Sequence, residues 1–69
     1  MAAYLKHKDK SLFLKSIDKE NDKLEFTESV SEAKPYDNDW FAKAELDFLE
    51  FHYPDYKEKY LNHLVPWYQ

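Results

Sequence analysis

Apolar positions along this chain follow two periods, first near two residues and then near 3.6. In the first third, "AAYLKH", "SLFLKSID" and "KLEFTES" are separated by the charged stretches "KDK" and "KENDK". Short apolar-polar alternation bounded by turn-forming residues predicts strands over about 2–7, 11–18 and 23–28. If Asn21-Asp22 form a two-residue hairpin loop, Ile17 stands opposite Phe26 and Lys15 opposite Glu28. Both pairings favour that register. The second strand then carries Leu12 and Leu14 on one face and Phe13 and Ile17 on the other, as a middle strand would.

Beyond the strands, Ser29 and Glu32 have capping-box spacing, but Pro35 leaves room for only about one helical turn. The main helix is expected over about 38–52. Asp37 or Asn38 can cap its start, Asp39 suits its first turn, and Pro54 stops it. With Pro54 as a new first position, Tyr56, Tyr60, Leu61 and Leu64 share a face and predict a short second helix over about 55–64. A final strand over that stretch is the alternative. The expected fold is therefore α+β, in one domain spanning 1–69. A three-stranded antiparallel β-meander packs against one main α-helix, with a short C-terminal helix beside it.

At about 100° per residue, the main helix carries two apolar stripes. Trp40, Phe41, Ala44, Phe48 and Phe51 form a broad aromatic one, and Ala42, Leu46 and Leu49 a narrower aliphatic one. The aromatic stripe has the width needed to cover a small sheet and is expected to be core. The aliphatic stripe is then covered by Tyr60, Leu61 and Leu64, or it is open and meets a partner. In the second case Ala42, Leu46 and Leu49, flanked by Glu45 and Glu50, form a candidate protein-binding surface.

Composition sharpens this picture. Sixty-nine residues without a cysteine have neither disulfides nor thiolate metal ligands to supplement a small core, so five Phe, six Tyr and two Trp must supply much of the burial. There is no glycine, so tight turns fall to Asn and Asp. Net charge is −4, unevenly placed: residues 1–23 hold six lysines against four acids, residues 24–69 four lysines against ten acids. All ten basic residues are lysine, which removes the arginine fork that reads guanine and phosphate and disfavours nucleic acid as a partner. No apolar run approaches membrane-spanning length or a signal peptide, and a cytoplasmic setting is expected.

Candidate chemistry is sparse. His7, His52 and His63 lack the spacing of a zinc site. Asp18, Glu20 and Asp22 open like a calcium loop, but Lys23 stands where that loop needs glycine and Ser29 where it needs glutamate. No glycine-rich loop exists to cradle phosphate, and the serines have no evident paired base. Neither a catalytic constellation nor a cofactor or metal site is expected, and the chain reads as no enzyme.

The run "LEFTESVSEAKPYD" carries a resemblance. Its Phe26-Thr27, Glu32-Ala33 and Tyr36 are similar to the pattern of small uncharacterised phage- and prophage-encoded proteins of Gram-positive bacteria, over about half of the chain. The resemblance implies a host-directed or regulatory role and offers no functional residue to carry over. Together these readings lead to a non-enzymatic protein-binding module. Two alternatives are an acidic mimic of nucleic acid directed at a DNA- or RNA-binding protein, and a homodimeric structural protein.

Overall fold

The computed structural model describes residues 2–69; Met1, the first position of the expected domain, lies outside them. The fold is α+β, a four-stranded antiparallel sheet with one main helix. Strands β1 (Ala3–His7), β2 (Phe13–Asp18) and β3 (Lys23–Thr27) form the expected meander. Helix α1 spans Asp39–His52, and β4 (Leu64–Tyr68) adds to the free side of β1, so the sheet order is β3-β2-β1-β4.

The expected helix over 55–64 gives way to short turns, and the fourth strand follows them. Pro54–Tyr56 and Leu61–His63 form single 3-10 turns, and the chain then extends along β1 with five residue pairs, from Ala3–Tyr68 to His7–Leu64. Without β4, β1 would present an open edge beside the helix, with its backbone groups unpaired. Pro66 fits this outcome because an edge strand tolerates a missing N–H. The apolar side chains that imitated a helical face are used individually. Leu61 and Leu64 enter the core, and Tyr60 stacks on Phe26 at 4.3 Å between ring centroids.

The β2–β3 register also departs from expectation. Ile17 pairs with Leu24 and Leu14 with Phe26, leaving a four-residue loop over 19–22. Asp18 holds that loop by accepting hydrogen bonds from the Asn21 backbone N–H (3.3 Å) and side-chain amide (2.8 Å). Asp22 takes the positive φ of 54° that a glycine-free chain must give to Asn or Asp. A bulge at Lys15 re-phases the alternation, so Leu14 and Ile17 both face the helix although they stand three positions apart. Phe13 faces the other way and packs against Trp67, which also meets Tyr4.

β1 and β2 pair only briefly, at Lys6–Phe13, before they diverge. The segment at 34–37 fills the opening. Ala3 and Tyr36 exchange two backbone hydrogen bonds of 2.8 Å, and the Lys34 N–H donates to the Leu14 carbonyl. This strap lies against α1 and forms one wall of the surface described next.

Candidate docking face on the helix

Helix α1 begins where the sequence places it. The Asn38 side chain accepts a hydrogen bond from the Phe41 N–H, and the Tyr68 hydroxyl at the end of β4 accepts one from the Asp39 N–H at 2.8 Å. Two of the first-turn donors are thus satisfied. At the other end the Tyr53 N–H bonds to the Leu49 carbonyl, and Pro54 prevents continuation.

The helix lies on the sheet with the face opposite to the expected one. Ala42, Leu46 and Leu49 are buried against Ala3, Leu5, Leu14, Leu24, Leu61 and Leu64, and Tyr53 extends the same line past the helix end. The aromatic stripe is outside. Trp40 is 69% exposed, Phe41 47%, Phe48 40% and Phe51 81%. The physical reason is space. Ala42 has no side-chain bulk to hold the helix off β1 and β4, and leucines fill the thin layer that remains. Four large rings at that contact would push the helix away from the sheet.

The five residues expected to bind a partner therefore divide. Ala42, Leu46 and Leu49 are core and cannot meet another molecule while the chain is folded. Leu61 and Leu64 cover them as anticipated, though from a turn and a strand. Glu50 lies at the border of the exposed face, half-buried. Glu45 is an anchor: it pairs with Lys34 and accepts a 2.5 Å hydrogen bond from the Tyr36 hydroxyl. Burial pushes the Glu45 carboxyl up, but the hydrogen bonds from Lys34 and Tyr36 outweigh it and hold the group below its ordinary range. Burial, the Glu45 bond and the Glu45 charge keep the Tyr36 hydroxyl well above its usual pKa.

Between strap and helix runs an open groove of about 550 Å³, with Ala44 between the rings of Phe41 and Phe48 and with Pro35 and Tyr36 along the far side. Trp40 meets Phe41 edge to face at 5.1 Å, and His52 packs against both Phe48 and Phe51. Lys19 reaches over the Phe48 ring at 5.8 Å. Trp40 is held by Phe41, and Phe48 and Phe51 by His52, outside the core cluster. Chemically this is an aromatic platform with a small-residue notch.

A second cluster joins the ends of β1 and β4. His7 is buried and its ring stacks on His63 at 5.0 Å between centroids. Its Nδ1 accepts the Asp9 N–H, which requires the neutral tautomer with the proton on Nε2. Burial lowers the pKa of His7, and His63 and Lys10 lower it further. Among the described residues no group of three or more His, Cys, Asp or Glu is placed to hold a metal ion, and no helix is long and apolar enough to cross a membrane.

No family model matches the chain, and neither a curated protein nor a solved structure shows significant similarity to it.

Proposed function

We propose that this chain is a small, non-enzymatic protein-binding module whose binding element is the aromatic face of α1. The observation that carries the reading is the exposure of Trp40 and Phe51 on the line opposite the core, beside the partly exposed Phe41 and Phe48. Contiguous exposed aromatics are uncommon on a small protein and are the residue types that dominate binding energy at interfaces. Asp39, Lys43, Asp47 and Glu50 border the rings, so the surface that fits is apolar at its centre with charges of both signs at its rim. The setting we assign is that of the phage- and prophage-encoded proteins the chain resembles, with a regulatory or host-directed role in the cytoplasm. Nucleic-acid mimicry is the weaker reading because Asp18, Glu25, Glu32 and Glu45 are engaged in hydrogen bonds within the chain.

The test is native mass spectrometry of affinity-purified wild-type, Phe51→Glu and Trp40→Ala chains, with folding checked by circular dichroism. The reading expects a stoichiometric complex that both substitutions abolish while Val65→Glu, on the exposed side of β4, retains it. A complex indifferent to Trp40 and Phe51 contradicts it.

A further inference from the structure

We propose that the aromatic face of α1 is built to pair with the same face of a second copy of this chain, with the two helices antiparallel about a two-fold axis. The inference rests on the docking role just assigned and names its occupant.

Area is the first argument. A buried aromatic ring covers roughly 150–250 Å², so the exposed fractions of Trp40, Phe41, Phe48 and Phe51 amount to about 500 Å² per copy. Covered completely, two such faces remove about 1,000 Å² from water, the area of a weak, concentration-dependent interface. The contacts Trp40–Phe41 and Phe48–His52–Phe51 already exist in the single chain and reduce the ordering that association requires.

Shape is the second. A two-fold interface must be self-complementary, with each residue facing a partner that faces it in return. An antiparallel register can set Ala44 opposite Phe48 of the second copy, because both lie near the centre line of the stripe. The notch over Ala44 then receives a phenylalanine ring, twice, and small against large lets the helices approach closely. A parallel arrangement would oppose Phe48 to Phe48 and Ala44 to Ala44, leaving a clash beside a void.

Charge is the third. In antiparallel helices each flank of the stripe meets the same flank of its partner. Here that flank carries Lys43, Asp47 and Glu50, so the same register brings Lys43 of each copy beside Glu50 and Asp47 of the other. Each copy thus supplies both signs of charge along this flank.

The experiment is size-exclusion chromatography with light scattering, run over a concentration series on wild type and on Phe51→Glu, Lys43→Glu and Lys43→Glu/Glu50→Lys. A Trp67→Phe background leaves Trp40 as the sole tryptophan and adds a fluorescence readout. The expected result is a mass of twice 8.4 kDa for the wild type, with Trp40 emission moving to shorter wavelength as the dimer forms. Phe51→Glu should be a folded monomer. Lys43→Glu should weaken the dimer roughly tenfold, and the charge-swapped double variant should recover it. A wild type that stays monomeric at millimolar concentration with Trp40 open to quencher overturns self-pairing and leaves the face to another protein. A monomer with Trp40 shielded overturns both this inference and the docking role, because the chain would be covering its own face. A dimer that survives Phe51→Glu overturns the inference by placing the interface elsewhere.

Discussion

The Tyr36 hydroxyl donates a 2.5 Å hydrogen bond to the Glu45 carboxylate, joining the strap that fills the gap in the sheet to the outer shoulder of the helix. Lys34 binds the same carboxylate from the other end of the strap. Three residues from two segments thus set the wall of the groove and the rotation of α1 about its axis. With Glu45 facing the strap, Ala42, Leu46 and Leu49 must face the sheet and Trp40 and Phe51 must face out.

Loss of that anchor should be measurable and pH-dependent. Glu45→Gln is expected to lower stability by about 1 kcal/mol in urea unfolding, the upper part of the range for charge-assisted bonds being reduced by partial exposure. The Glu45 pKa is depressed in the folded chain, so its contribution is in place above the ordinary carboxylate value of 4.5 and is lost as pH falls through the lower folded value. Glu45→Gln should remove that part of the acid sensitivity.

His7 acts in a higher window. The folded pKa of His7 lies below 6.5, so its stabilising effect is complete above 6.5 and is lost as pH falls through the folded value. Protonation would turn Nδ1 from an acceptor into a donor aimed at the Asp9 N–H, next to His63, Lys10 and Lys6, with only the Asp9 carboxylate favouring the charge. Unfolding midpoints should fall between pH 7 and 5, and His7→Gln should flatten that slope.

The rotation of the helix makes opposite predictions for neighbouring residues. Leu49→Ala, at a fully buried position, should cost about 2–4 kcal/mol through lost burial and a cavity. Phe51→Ala, two residues on and mostly exposed, should change the stability of the monomer by less than about 0.5 kcal/mol. Equal costs at both positions would place the helix wrongly.

The β2–β3 loop offers a local test. Asp22 holds a left-handed conformation at φ 54° that glycine adopts without steric cost. Asp22→Gly should raise stability by about 0.5 kcal/mol, and Asp22→Val should lower it by about 1 kcal/mol or more. Chemical denaturation of the two variants checks both signs.

What the sequence made legible was local. Asn38 and Pro54 mark the ends of α1 by backbone chemistry that needs no distant partner, and β1 to β3 follow from short alternations between charged turns. β4 depends on pairing Leu64–Tyr68 with Ala3–His7 from the far end of the chain, and its lead-in places Tyr56, Tyr60, Leu61 and Leu64 at helical intervals. The bulge at Lys15 leaves no trace in an alternation count, because adjacent Phe13 and Leu14 are both buried and on opposite faces. The choice between two apolar stripes was the decisive ambiguity. Both have helical spacing, and the aromatic one is the more hydrophobic in bulk. What selects Ala42, Leu46 and Leu49 is the depth of the space above the sheet, a property of the assembled fold. One local signal did point that way: Tyr53 continues the 42, 46, 49 spacing by four residues, so the aliphatic line runs past the helix end into the core.

The most direct measurement is iodide or acrylamide quenching of Trp40 in the Trp67→Phe chain, at a concentration where it is monomeric. An outward aromatic face predicts emission near that of indole in water and quenching close to that of the free amino acid. A blue-shifted, protected Trp40 in the folded monomer would contradict it, and would return the aromatic stripe to the core and Ala42, Leu46 and Leu49 to the surface.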